Sequence, residues 1–368
     1  MSPDLVVVGA GVVGLAHAVE AVARGMSVTV VERDERPVGA SVRNFGHGCL
    51  TAQVGEAYTF GNRARGTWLR LAREAGFWAA ETGTVAVARS AEEMGCLDEL
   101  GELRGADEVV VLSAAQVAER VPVAAAGLHG GAFLPRDIRL DPRAATPAIA
   151  AWLADQPGVR VLWSTPVVGV DTGVVHTPRG DIAGRDVVVC AGHDLDRLLP
   201  ATAEGAGMRR CGLQMLQIRA PGGITVPPAV LTGSSLLRYP AFSATAGAAA
   251  VRERWAQERP DLLDAGVNHM LTQRPDGDLV IGDTHTYART LDPLRSESLD
   301  ELLLAETAAL LGIDDLRVVH RWQGVYASAP DREFLRTTVA AGVRAVAVTS
   351  GIGMTTAFGL ATDVLDTL

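Results

Sequence analysis

The stretch that most constrains this chain is Leu5 to Glu32, LVVVGAGVVGLAHAVEAVARGMSVTVVE. Leu5 to Val8 is an uninterrupted apolar run, as expected of a strand buried on both faces. Gly9, Gly11 and Gly14 follow in the spacing G-x-G-x-x-G, with Ala10, Val12 and Val13 between them, at the point where a helix should begin. Gly9 permits the tight turn, Gly11 lets main chain approach a pyrophosphate, and Gly14 lets the helix lie close to the strand, its positive end facing the phosphates. The helix should stop near Gly25, and Ser27 to Val31 should form the neighbouring parallel strand. Glu32 then stands where a carboxylate accepts hydrogen bonds from a ribose diol. Strand, glycine turn, helix, strand and acid together specify a dinucleotide-binding unit and an α/β fold.

At 368 residues the chain is long enough for two domains with real cores, and 48% hydrophobic content is that of an ordinary globular protein. No apolar stretch reaches a membrane-spanning length, and the first strand begins without a basic region or cleavage site, so the expectation is a cytoplasmic protein. Cys49, Cys96, Cys190 and Cys211 lie far apart with no C-x-x-C pair, which argues against a zinc site or a disulfide framework; no metal is expected. A formal charge of −10 disfavours a nucleic-acid partner. All 33 basic residues are arginine, which excludes a Walker lysine, a lysine Schiff base and lysine-assisted oxygen chemistry. Any fixed cation must be arginine or histidine.

After the cradle, ERDERPVGASVRNFGHG reads as a loop crossing the ligand, with donors at Ser41, Arg43, Asn44 and His47. Helical periodicity returns over Glu56 to Thr82, with Trp68 and Trp78 assigned to the core. Thr84 to Ala88 reads as a strand, and Ala91 to Arg104 and Ser113 to Arg120 as helices, the second capped by Ser113. Asp141-Pro142 opens a further helix. Strands are expected at Val159 to Trp163, Thr165 to Asp171, Gly173 to His176 and Asp186 to Gly192, the last ending in Ala191-Gly192. Gln214 to Arg219, Ala229 to Thr232, Leu236 to Tyr239, His269 to Gln273 and Asp278 to Gly282 suggest an antiparallel sheet. Leu299 to Leu311 reads as a helix and Val346 to Ser350 as a buried strand, after which Gly351 and Gly353 open a second helix aimed at the ligand.

GAGVVG, the Glu32-Arg33 pair, GASVRN, the strand VVVCAG and the closing SGIGMTTAFG together resemble the flavin-dependent amine and amino-acid oxidases of the glycine oxidase, sarcosine oxidase and D-amino-acid oxidase type, over nearly the full chain. GLAHAV, ASVRNFGH, GDTHTY (Gly282 to Tyr287) and RWQGVYAS (Arg321 to Ser328) look like a branch associated with aminophosphonate breakdown. The resemblance implies FAD, held noncovalently, since His47 and Cys49 match no known attachment motif. It implies a Rossmann-like FAD domain from 1–80, 140–205 and 316–368, interleaved with an α+β substrate domain from 81–139 and 206–315 built on a largely antiparallel sheet. FAD contacts would come from the cradle, from Glu32 and Arg33, and from the loop Ala40, Ser41, Arg43, Asn44, Phe45, Gly46 and His47. Val167, Ala191 and Gly192 would add to them, with Ser350, Gly351, Ile352, Gly353, Met354 and Thr355 at the second helix start.

The activity implied is oxidation of a small amine, 2-aminoethylphosphonate-like, by hydride transfer to flavin, imine hydrolysis and reoxidation by O2. The alternatives are an oxidase of glycine, sarcosine or a D-amino acid, and a noncatalytic flavoprotein subunit. An anionic substrate needs a forked cation, and Arg43, Arg238 and Arg321 are the candidates. His47, His285 and Arg321 are the expected catalytic groups, with Tyr287, Tyr326 and Met354 walling the pocket. A phosphonate should recruit more than one arginine and a carboxylate a single bidentate one. Oligomeric state is left open.

Overall fold

The computed structural model describes residues 2–368. The opening apolar run does form a central strand. Leu5–Val8 lies between Val28–Val31 and Asp186–Val189 in a six-stranded sheet ordered Phe334–Ala340, Val343–Val348, Asp186–Val189, Leu5–Val8, Val28–Val31, Val159–Leu162. Every pair is parallel except the edge pair Phe334–Ala340 with Val343–Val348. Alternate residues of the central strand serve two cores. Leu5 and Val7 pack with the helices Val12–Ala23, Gly55–Glu74, Pro142–Ala154 and Gly353–Leu365, whereas Val6 and Val8 join Val187, Leu195, Ala203 and Met208 on the other face. Burying both faces explains why this strand shows no polar alternation; each buried Val or Leu contributes about 1.5–3 kcal/mol.

A second, nine-stranded sheet runs Thr286–Ala288, Arg209–Ile218, Leu279–Gly282, Met270–Gln273, Ala229–Leu231, Thr84–Ala88, Gly130–Leu134, Val110–Ser113, with Val318–Ser328 also paired to Arg209–Ile218. It is antiparallel apart from Ala229–Leu231 against Thr84–Ala88. Its register matters for function. Cys211 stands opposite Tyr287 on one neighbouring strand and Tyr326 on the other, so two distant tyrosines flank one position. An isolated bridge, Ser328 to Ser350, ties this sheet to the end of the first. The α/β class and the largely antiparallel second sheet are as read from the sequence.

Several segments differ. Leu236 to Tyr239, expected as a strand, is the end of the helix Gly233–Arg238, and Pro240 then starts another short helix. Two leucines cannot distinguish a buried strand from one helical turn. The helix read to Thr82 ends at Glu74, and Ala79–Ala80 is a short strand. Trp68 is core, but Trp78 is 36% exposed with the Arg139 guanidinium 5.3 Å from its ring centroid. Within Thr165 to Asp171 only Gly169–Asp171 is strand. Val318–Ser328, Phe334–Ala340 and the helix Ala246–Glu258 were not anticipated, and Arg209–Ile218 begins five residues before the strand expected at Gln214. Among the described residues no helix is long and apolar enough to cross a membrane.

Candidate functional site

One continuous cavity of about 860 Å³ runs from the glycine cradle to the second sheet. At the cradle end Gly9 has φ +104°, and a Cβ there would lie 2.6 Å from the Cys190 carbonyl oxygen. A Cβ on Gly14 would lie 1.9 Å from the Gly9 oxygen, so the helix can approach its own turn only as glycine. The Val12 N–H donates to Ser41 Oγ at 2.8 Å, joining loop to helix start. Glu32 accepts from the Ala10 N–H at 2.7 Å and from the Asp34 N–H at 3.1 Å, which fixes its carboxylate at the strand end. Arg33 pairs with Asp194 at 2.7 Å.

The helices Val12–Ala23 and Gly353–Leu365 both start at this cavity. Neither N-cap residue supplies a side-chain cap and neither first turn holds an acidic residue; Ser41 Oγ takes only the Val12 N–H. Two uncapped positive helix ends on one cavity suit a ligand carrying negative phosphate and an electron-rich ring edge. Gly351 has φ +82°, and a Cβ there would meet the Tyr326 ring at 3.0 Å.

Most residues expected to touch the cofactor line this cavity: Gly9, Gly11, Val12 and Val13; Glu32 and Arg33; Ala40, Ser41, Arg43, Asn44 and Phe45; Val167, Ala191 and Gly192; and Ser350 to Met354. Ala10, Gly14, Gly46, His47 and Thr355 are not among its lining residues. Gly46 packs against Leu140 and Pro142, and Thr355 Oγ1 accepts from the Cys49 N–H at 3.1 Å. His47 is the main correction. It is buried, with Nε2 2.7 Å from Thr84 Oγ1 and 3.3 Å from Asp137 Oδ2. Cys49 lies close by, but Asp137 already accepts from the Leu50 and Thr51 amides and from the Thr51 and Thr84 hydroxyls. Burial pushes the Cys49 thiol well above its ordinary range. This trio is a polar brace between loop and sheet.

Arg321 is also displaced from its expected place. It pairs with Glu297 at 2.9 Å and Asp300 at 3.0 Å, outside the cavity. Arg43 lines the cavity and donates to the Gln323 carbonyl at 3.3 Å.

The far end gathers Arg238, Tyr287, Tyr326, Arg209, Asp283 and His285. Arg238, the last residue of its short helix, donates to Tyr287 Oη at 3.1 Å and Tyr326 Oη at 2.8 Å. Burial opposes its charge, but the two phenol oxygens and the Asp283 carboxyl more than offset that and hold it cationic. Arg209 lies over the face of the Tyr287 ring, 4.5 Å from its centroid, and its buried Nε has no hydrogen-bond partner. His285 Nδ1 donates to the Gly266 carbonyl at 2.8 Å. Burial, and then Arg238, push its pKa down to about 3, so this expected catalytic group is neutral near neutral pH. Asp283 moves the other way: burial raises it to about 7, against the pull of Arg238 and Asn268.

Arg209, Asp283, Asn268 and Tyr239 were missed as site residues. Asp283 stands inside GDTHTY beside His285 and Tyr287; a carboxylate directly after a buried apolar strand was the available signal.

A family model described as DAO, FAD dependent oxidoreductase, matches residues 4–366. None of the curated proteins compared matches the sequence. Among solved structures, glycine oxidase from Geobacillus kaustophilus is similar at TM-score 0.78 and 20% identity, over 99% of this chain and 95% of that one. L-proline dehydrogenase from P. horikoshii gives 0.81 and 21%, over 99% and 92%. Iminodiacetate oxidase from Chelativorans sp. BNC1 gives 0.75 and 16%, over 98% and 94%.

Proposed function

Since the chain belongs to the DAO family of FAD-dependent oxidoreductases, we propose that it oxidises the carbon–nitrogen bond of a small amine carrying an anionic group, and that this group is a phosphonate, as in 2-aminoethylphosphonate. The cavity fits FAD: two glycines whose Cβ atoms would collide with main chain, a carboxylate at the strand end and two uncapped helix starts share one space. Gly11 to Val13 and Glu32 would hold pyrophosphate and ribose, and residues 351–354 the ring end. When bound, FAD supplies a two-electron acceptor for the hydride leaving the carbon next to nitrogen.

The observation that carries the phosphonate reading is the pair Arg209 and Arg238, one on the face of Tyr287 and the other on its hydroxyl. A dianionic phosphonate uses two cations, and Arg209 and Arg238 both border the cavity. A carboxylate would use the Arg238 fork alone, and the names of the structural neighbours favour that second reading. Leu213, Met215 and Met354 border the same space and would exclude water, favouring the free amine needed for hydride loss. Water then hydrolyses the imine product to an aldehyde or keto acid and releases ammonia or an amine; in this reading O2 is the final electron acceptor. In this reading residues 1–80, 140–205 and the C-terminal part form the cofactor domain. Because Val318–Ser328 pairs with the second sheet, we place that last boundary near 329 rather than 316.

The test is anaerobic titration of the purified yellow protein, followed by admission of air and a peroxide assay. Bleaching by 2-aminoethylphosphonate or its N-methyl form supports the reading. Bleaching by glycine or sarcosine but by no aminophosphonate transfers it to a carboxylate, and no bleaching by any amine overturns it.

A further inference from the structure

Arg238 accounts for the anionic end of a substrate; nothing described so far receives the nitrogen. Resting on the amine-oxidase reading above, we propose that Asp283 receives the substrate ammonium and accepts one of its protons, opposite the arginine that holds the anion.

Asp283 is 4% exposed and borders the same cavity as Arg238. Its main chain is clamped in both directions to Asn268, whose N–H donates to the Asp283 carbonyl at 2.8 Å and whose carbonyl accepts from the Asp283 N–H at 2.9 Å. One carboxyl oxygen, Oδ1, accepts from Asn268 Nδ2 at 3.3 Å, a long bond. Among the described residues no other residue donates to Oδ2, and no guanidinium lies within 4.0 Å of the carboxyl; the Arg238 nitrogens are turned to the tyrosine hydroxyls. The groups facing Asp283 are Arg238 and Tyr239 from the helix end, Cys211 from the long strand, Asn268 beside it, and His285. His285 Nδ1 is 3.9 Å away, but its proton is committed to Gly266 and its ring is neutral. Tyr239 is likewise held neutral by burial. Among the described residues Arg238 is thus the charged neighbour of Asp283.

A buried carboxyl with a free oxygen is costly to a fold, by several kcal/mol when ionised. A cation entering the cavity removes that cost. A zwitterion whose anion lies on Arg238 would bring its ammonium to this side. The transfer is balanced: one N–H bond of the ammonium breaks and one O–H bond forms on Asp283, leaving a neutral amine and a neutral carboxyl, with no electrons exchanged. A carboxyl raised to about 7 can take that proton at neutral pH, where an exposed aspartate would be too weak a base. The nitrogen lone pair is then free when hydride leaves the adjacent carbon.

The test compares wild-type FAD holoenzyme with Asp283→Asn and Asp283→Glu. Flavin bleaching without oxygen is followed from pH 6 to 10 with 2-aminoethylphosphonate, its N-methyl form and sarcosine. The asparagine variant should lose at least 30-fold in reduction rate at pH 7 and recover as pH approaches the free amine's own ionisation; the glutamate variant should keep the wild-type profile shape. Equal rates and profiles in wild type and Asp283→Asn would overturn the assignment. Should Asp283→Asn fail to keep FAD, wild type alone decides. The affinity of 2-aminoethylphosphonate relative to ethylphosphonate, or of sarcosine relative to propionate, should rise about tenfold from pH 6 to 8, and a change under twofold overturns it. Failure of the wild type to bleach with any amine instead sinks the amine-oxidase reading itself, so the two failures are distinct.

Discussion

Arg238→Met is the sharpest perturbation of the anion site, because it removes the forked cation while keeping an unbranched side chain of similar length. In the structure both donor arms of Arg238 rest on phenol hydroxyls, Tyr287 at 3.1 Å and Tyr326 at 2.8 Å, and both tyrosines border the cavity. Water can replace the arginine there, so the fold should survive. What is lost is a desolvated charge pair with the substrate, worth about 2–5 kcal/mol when one partner is truncated. At about 1.4 kcal/mol per factor of ten, kcat/KM should fall by roughly 30-fold to about 4,000-fold. Arg238→Lys keeps the charge but loses the fork, and one charge-assisted hydrogen bond of about 1.5–3 kcal/mol predicts a loss of roughly 10- to 100-fold. The assay is anaerobic stopped-flow flavin reduction against substrate concentration, with the flavin spectrum and melting temperature as controls for folding. A change below threefold in Arg238→Met, with intact spectrum, would refute the claim that this residue holds the substrate anion.

Other positions give opposite or independent outcomes. Gly14→Ala should lose FAD and destabilise the protein by about 1–3 kcal/mol, read by flavin content and thermal melting, since its Cβ would press on the Gly9 oxygen at 1.9 Å. His47→Ala should cost about 1–3 kcal/mol through the stranded Thr84 and Asp137 groups yet change the flavin reduction rate by less than about threefold; a large rate loss at unchanged stability would restore it to the catalytic machinery. Arg321→Ala should leave kcat/KM within about twofold, because its partners Glu297 and Asp300 lie outside the cavity. His17 and His269 are held near 4 by burial, so between pH 6.5 and about 4 the unfolded chain takes up protons that the native state refuses, and stability falls as pH drops through that window. Melting temperature should therefore decline from pH 6.5 to 4.5, and His269→Gln should flatten the decline.

What could be read in advance divides along a physical line. The cradle was legible because its chemistry is local: turn, close approach and helix packing each demand glycine at a fixed offset, and the structure shows the same collisions that the spacing implies at Gly9 and Gly14. Gly351 was legible for the same reason. The substrate end depends on register between strands far apart in the chain, and no local pattern says that Cys211 will stand between Tyr287 and Tyr326. Arg238 was nominated, but on a strand; two leucines before it suit either conformation, and the helix that actually carries it decides which way its guanidinium points. His47 was misplaced because nearness to the cofactor loop in sequence says nothing about the brace to Asp137, which lies 90 residues further on.

The same line shows how a chain of formal charge −10 would accommodate the anionic substrate proposed above. At the cradle end Arg33 is matched by Asp194, leaving the helix ends to attract phosphate. At the far end Arg209 and Arg238 outnumber the carboxyl of Asp283, whose ionisation burial pushes up to about 7. The local field there is positive whatever the surface carries, because low-dielectric walls keep nearby charges strong while water screens distant ones. On the proposals above, a substrate would set its anion on the arginines and its ammonium on the aspartate, so the spacing of its two charged groups must match the spacing of theirs. On that account chain length between anion and nitrogen, more than bulk, should separate good substrates from poor ones.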